Sequence, residues 1–158
     1  GLLLAEDAAI ALASMVKLNK LGEVFGEWEG VKAMTDVTGF GLLGHLSEMC
    51  EGSGVSAVLE FDKVPVISSL PHYLEQGCIP GGTGRNWNSY GHRIGPLTAV
   101  QQKILADPQT SGGLLVAVSR EHAPAFEELL KHNGLPEACC RSIGWLESPK
   151  NGPLIVVR

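Results

Sequence analysis

Two glycine-rich strings carry the residues of this chain that have chemistry to offer. They are Thr35-Asp36-Val37-Thr38-Gly39-Phe40-Gly41-Leu42-Leu43-Gly44 and Asp107-Pro108-Gln109-Thr110-Ser111-Gly112-Gly113. Each joins a carboxylate and small hydroxyls to glycines. Glycine lets backbone approach an oxygen-rich ligand, backbone N–H groups receive phosphate, and a carboxylate offers a hard anion to a hard cation. The pairing points to phosphate or Mg-nucleotide chemistry.

Asp36 is placed at the end of a strand, just ahead of a glycine turn into a helix. One exposed carboxylate there makes half a Mg2+ site, because the other ligands must come from elsewhere. Two other readings stay open. An Asp or Thr before a helix is often a cap, and glycine is often a turn. Alternatively, Gly39-Phe40-Gly41-Leu42-Leu43-Gly44 fits the GxGxxG pattern, with Glu60 ending the next strand as a dinucleotide fold requires. In the second string, Pro108 ends a helix, and Gln109 to Gly113 form either a plain helix-to-strand turn or a polar loop at a ligand. Gly81-Gly82-Thr83-Gly84-Arg85-Asn86 could donate N–H groups and a guanidinium to phosphate, or form a mobile solvated loop.

The histidines and cysteines offer less. His45, His72, His92, His122 and His132 show no HxxxH or HExxH spacing, so no metal or triad role is expected of them. The four cysteines, Cys50, Cys78, Cys139 and Cys140, contain no CxxC pair and are expected to be reduced thiols of a cytoplasmic protein.

The elements that must position the strings follow from hydrophobic period and punctuation. A helix is predicted from Ala5 to about Leu18, with Ala9, Leu12, Ala13 and Val16 on one core face. The opening Gly1-Leu2-Leu3-Leu4-Ala5 is read as core rather than as a signal peptide. A link from Gly22 to Gly30, a strand from Val31 to Val37 and a helix from Leu42 to Glu51 follow. Next come a strand from Val55 to Phe61, a helix from Ser68 to Gln76 and a long loop from Gly77 to Gly95. A helix from Leu97 to Leu105, a strand from Leu114 to Val118 and a helix from Glu121 to His132, capped by Ser119, complete the middle. Strands from Arg141 to Leu146 and Leu154 to Val157 are read as a hairpin, with Cys139-Cys140 at its start. The expected fold is α+β, a mixed β-sheet with helices on both sides, in one domain over 1–158.

Composition sets outer limits. The 158 residues are 44% hydrophobic and 18% charged, an ordinary globular balance. A formal charge of -5 argues against broad nucleic-acid or anionic-membrane binding, but leaves room for one metal-neutralised nucleotide. No apolar run is long enough for a bilayer. The chain starts at Gly1 rather than Met, and a piece of a longer or processed protein is expected.

The two strings, extended to Met34–His45 and Ala106–Leu115, resemble those of the selenophosphate synthetase (selenide, water dikinase) family. Gly81-Gly82-Thr83 with Asn86, and Leu18-Asn19-Lys20, are similar too. The resemblance is to the C-terminal half, in a superfamily that includes aminoimidazole ribonucleotide synthetase. It implies an enzyme making selenophosphate from selenide, ATP and water, with release of AMP and phosphate. It also implies Mg2+ bound by aspartates and a homodimer built largely through the N-terminal half. The reactive Cys or selenocysteine and the essential Lys are expected in that absent half, so no catalytic nucleophile is assigned to this chain. By motif match Asp36 is the metal ligand. Thr38, Gly39, Gly41, Asp107, Thr110 and Ser111 are the expected ATP or phosphate contacts. The isolated chain is expected to be monomeric and inactive alone.

Overall fold

The computed structural model describes residues 1–158. In chain order the helices are α1 Ala5–Met15, α2 Leu21–Gly26, α3 Gly41–Ser53, α4 Leu70–Glu75, α5 Gly81–Tyr90, α6 Ala99–Leu105 and α7 Ala123–His132. The strands are β1 Val31–Asp36, β2 Ser56–Leu59, β3 Leu114–Val118, β4 Gly144–Glu147 and β5 Ile155–Val157. No helix is long and apolar enough to cross a membrane.

The strands form an antiparallel pair, β1-β3, and a mixed sheet ordered β4-β2-β5. In the mixed sheet β2 pairs antiparallel with β4 and parallel with β5. The mixed pairing expected of an α+β fold is therefore present, but the hairpin is not. Every residue of β2 is buried. Its Ser-Ala-Val-Leu run takes the central place, and β4 and β5 flank it instead of meeting each other. Cys139 ends a short 3-10 turn, not the start of a strand.

α3 fixes the architecture. Leu43, Leu46 and Cys50 on one stripe pack with Ala57 and Leu59 of β2, Ile155 of β5, Tyr90 of α5 and Leu105 of α6. The spacing of three and four residues is what a helix needs to bury one face. Gly54, at φ +65, closes α3 with its N–H bonded back to the last turn, as glycine does at a helix end. A second cluster, Phe25, Phe126, Leu130 and Cys140, lies under the other face of the β1-β3 pair. β3 shows the division: Leu115 packs on the α3 cluster, while Leu114, Val116 and Val118 pack on the α2–α7 cluster. Alternation along a strand thus places helices on both sides of this pair.

Four further expectations fail for physical reasons. The Gly22–Gly30 link contains α2, because Phe25 is drawn into the second cluster against Phe126, ring centroids 4.9 Å apart. The Gly77–Gly95 loop contains α5, whose face Thr83, Asn86 and Tyr90 is buried against the two strings. α1 forms but buries nothing, and Leu2, Leu3, Leu4, Ile10, Leu12, Met15 and Val16 are exposed. Two polar links tie this arm to α4: Tyr73 donates its hydroxyl to Asp7 at 2.6 Å and accepts from the Leu4 N–H at 3.1 Å. Its apolar stripe has no counterpart among the 158 residues. Ser119 likewise does not cap α7; the cap position falls to His122, and the Ser119 hydroxyl sits 2.7 Å from the His122 ring.

Candidate functional site

The two strings meet side by side. Asp36 ends β1 and stands opposite Leu114, the first residue of β3. Beyond that register the loops continue the pairing. The Val37 N–H donates to the Gly113 carbonyl at 2.9 Å, and the Gly112 N–H donates back to the Val37 carbonyl at 3.0 Å. The Gln109 N–H then donates to the Thr38 carbonyl at 3.0 Å. That carbonyl also receives the Gly41 N–H at 3.0 Å, closing the turn that opens α3. Thr38 is therefore the junction between both strings and the helix.

Glycine is required where the strings touch. Gly41 has φ +69, and a Cβ there would lie 2.7 Å from the Asp107 carbonyl oxygen and 2.9 Å from the Ala106 carbonyl carbon. A Cβ on Gly112 would lie 2.7 Å from the Val37 carbonyl. The glycines thus admit one string to the other. The dinucleotide alternative does not survive: β1 and β2 flank α3 but lie in different sheets, so the parallel β-α-β unit that seats a pyrophosphate is missing.

α5 locks this junction from below. The buried Asn86 amide donates to the Gly39 carbonyl at 2.9 Å and to the Ala106 carbonyl at 3.0 Å, one residue spanning both strings. The Tyr90 hydroxyl donates to the Phe40 carbonyl at 2.7 Å, and burial pushes its pKa up to about 12. The Thr83 hydroxyl donates to Asp107 Oδ1 at 3.3 Å, and the Gln109 amide donates to Oδ2 at 2.8 Å. Desolvation outweighs these two donors, so the Asp107 carboxyl sits above the usual aspartate range. Gly81-Gly82-Thr83 begins a helix after Pro80, so it is not the open phosphate loop considered above. Arg85 points out of that helix as an exposed cation.

On the open side, Asp36 is exposed, and its carboxylate makes no hydrogen bond or ion pair within the chain. Thr110 and Ser111 are exposed in the second string, just before the Gly112-Gly113 segment that pairs with Val37. Ser111 is held at φ 55, an uncommon conformation for a residue other than glycine. No three His, Cys, Asp or Glu side chains gather into a metal cluster. The donors fit a hard cation in one way only: Asp36 as a single carboxylate ligand, with water and groups from outside this chain completing the shell. All seven residues singled out in the sequence, Asp36, Thr38, Gly39, Gly41, Asp107, Thr110 and Ser111, belong to this one junction. Their functions divide, though. Gly41 and Asp107 face inward and build it; Asp36, Thr110 and Ser111 face outward.

Sequence reasoning missed His45. It is buried, with Nε2 3.1 Å from the Thr38 hydroxyl and Nδ1 3.1 Å from Glu48 Oε2. The available signal was His45 followed at i+3 by Glu48, which places both on one helix face. The thiols are where the spacing left them, unpaired: Cys50 and Cys140 buried, Cys78 and Cys139 exposed. Burial pushes Cys50 up to about 11, the reverse of what a reactive thiolate needs.

Residues 5–156 match the family described as AIR synthase related protein, C-terminal domain, and the chain belongs to that family. Among its curated relatives are proteins named selenide, water dikinase. That of Photorhabdus laumondii is 51% identical over 156 residues, covering 99% of this chain and 44% of the relative. That of Colwellia psychrerythraea is 56% identical over 135 residues, covering 85% of this chain and 39% of the relative. That of Bordetella bronchiseptica is 63% identical over 113 residues, covering 72% of this chain and 33% of the relative. The chain thus spans less than half the length of these relatives.

Proposed function

We propose that this chain is the C-terminal domain of a selenide, water dikinase, and that Asp36 is the metal ligand it contributes to a site shared with an N-terminal domain. The observation that carries the reading is the junction itself. Two strings far apart in sequence pair along one edge, and of their two carboxylates Asp36 is the exposed one, with Thr110 and Ser111 of the second string exposed as well. The identity to proteins of that name, at 51% over 99% of the chain, supports it. The bare apolar residues of the arm and α1 support a larger assembly, because an exposed patch of that kind marks contact with another protein surface.

Bound Mg2+ would neutralise and orient triphosphate charge during phosphoryl transfer from ATP. The chain's own residues do the positioning. Asp36 presents its carboxylate at a fixed strand end. Asn86 and Tyr90 hold the carbonyls behind it, so the loop does not have to reorganise when charge arrives. Thr110 and Ser111 offer hydroxyls at the mouth, and Arg85 is the free guanidinium nearest to the α5 start. The nucleophile and essential Lys belong to the N-terminal domain; buried Cys50 and Cys140 and exposed Cys78 and Cys139 are not assigned that role. The four free thiols suit the reducing cytoplasm. The full-length protein is taken as a homodimer and the isolated chain as an inactive monomer.

The test is AMP release by the full-length protein with ATP and Mg2+, with and without selenide. Selenide-dependent AMP supports the reading. Nucleotide turnover indifferent to selenide assigns the domain to another ATP-dependent enzyme of the family.

A further inference from the structure

β1 has one paired edge and one open edge. The bond from the Val37 N–H to the Gly113 carbonyl fixes which is which, because bonded and non-bonded pairs alternate along an antiparallel ladder. Ala33 and Thr35 therefore turn their N–H and C=O groups toward β3, and Met34 and Asp36 turn theirs away. β1 pairs with β3 alone, and no other backbone bond reaches the Met34 N–H, the Met34 carbonyl or the Asp36 N–H. Native sheets blunt such an edge with proline, charge or a covering element. From Ala33 to Thr35 this edge carries neither proline nor charge. A groove of about 180 Å3 runs beside it. Ala33, Met34 and Thr35 form one wall, and His45, Met49 and Gly52, on one face of α3, form the other. Small-molecule sites usually hold about 300–1,000 Å3, so the groove is too small for a nucleotide and suits side chains of a strand. A Cβ on Gly52 would meet nothing within 4 Å, which leaves room for one of them.

We infer that this edge receives an extended segment of the full-length protein lying before Gly1, which adds to β1 as a further strand beside α3. Chain length chooses the occupant. Residues 5–156 match a C-terminal domain, and the chain covers only 44% of the Photorhabdus relative. More than half of such a protein thus lies outside this chain, on its N-terminal side. An added strand gives partners to the Met34 N–H and carbonyl and to the Asp36 N–H, and sends every second side chain toward the groove. It also turns a two-stranded pair, marginal by itself, into a three-stranded sheet with β1 at its centre. The Asp36 N–H lies on the same edge, so the added strand steadies the backbone of the proposed metal ligand. The inference rests on the N-terminal domain proposed above and says where that domain grips this one.

Two measurements on the full-length, metal-free protein test it. Hydrogen exchange resolved to single amides should find the Met34 and Asp36 N–H groups slowed at least about a hundredfold from the open-chain rate, because exchange then waits for local opening. Open-chain rates at both amides overturn the inference, and this readout needs no substitution. The second measurement places the photocrosslinker p-benzoylphenylalanine at Met49, a half-buried wall of the groove outside the proposed metal site. Irradiation should join Met49 to a peptide that precedes Gly1, in a product with the mass of one chain. A product of doubled mass would make a second copy the occupant and overturn the inference. So would products confined to residues 1–158, or no product at all. Neither readout uses ATP or selenide, so a failed dikinase assay leaves both intact, whereas a selenide-dependent enzyme with an open β1 edge refutes this inference alone.

Discussion

Asn86→Ala tests how the junction is held, and its cost can be worked from the two bonds it removes. The amide donates to the Gly39 carbonyl at 2.9 Å and to the Ala106 carbonyl at 3.0 Å. Gly39 is exposed, so water replaces the lost donor and the cost is one net hydrogen bond, about 1 kcal/mol. Ala106 is fully buried, and its carbonyl loses this donor where water cannot follow, at about 1–3 kcal/mol. The sum is about 2–4 kcal/mol. With an m-value of about 2 kcal/mol per molar urea, the unfolding midpoint falls by roughly 1–2 M. Urea denaturation of the chain, followed by far-UV circular dichroism, reads this directly. Asn86→Asp sharpens the test. It has the shape of asparagine but no donor, and it turns a charge toward two carbonyl oxygens, so it should unfold more easily than Asn86→Ala. If Asn86→Ala stays within about 0.5 kcal/mol of the parent, or Asn86→Asp is the milder change, donation by Asn86 does not hold the strings together.

Gly41→Ala should cost at least about 2 kcal/mol in the same assay, because its Cβ meets backbone of the second string at 2.7 Å and φ is +69; a neutral result would mean the strings part freely. Asp107→Asn should leave stability unchanged or raise it at pH 7. The Asp107 pKa is raised by desolvation, so the folded state binds its proton more tightly than the unfolded chain. That stability is fully present below the unfolded pKa and is lost as pH rises through the folded one. The parent should thus lose stability relative to Asp107→Asn as pH climbs above the ordinary aspartate range; a parent that gains instead contradicts the raised pKa. Ellman's reagent at neutral pH should titrate Cys78 and Cys139 quickly in the native chain, and Cys50 and Cys140 only after urea is added. Four rapid thiols in the native protein would contradict the packing of α3 and of the second cluster.

Much of the site was legible in the sequence because its signals are local. Asp36 before a glycine turn, Pro108 after a helix and the apolar run at Leu114 each name their own geometry, and β1, α3 and β3 form where they say. What was not legible depends on tertiary contacts. Gly81-Gly82-Thr83-Gly84 is a poor helix former, yet α5 exists because Thr83, Asn86 and Tyr90 find partners across the fold. The β4–β5 hairpin looked natural because Pro149, Asn151 and Gly152 lie between the two strands, but β2 offers both strands a more buried neighbour. α1 reads as a core helix by its stripe, and within these residues the stripe has nothing to cover it. His45 lacked any metal spacing and was passed over, although Thr38 and Glu48 bracket it through the turn and the helix.

The most direct test of the central claim is Asp36→Asn in the full-length protein, with divalent metal affinity and ATP turnover measured together. Asp36 is exposed and has no partner within the chain, so the folded structure should be unaffected. If Asp36 is the carboxylate that this domain lends to a shared metal site, metal affinity and turnover should both fall by at least about tenfold. Parental metal affinity and parental turnover in a folded Asp36→Asn protein would contradict the account.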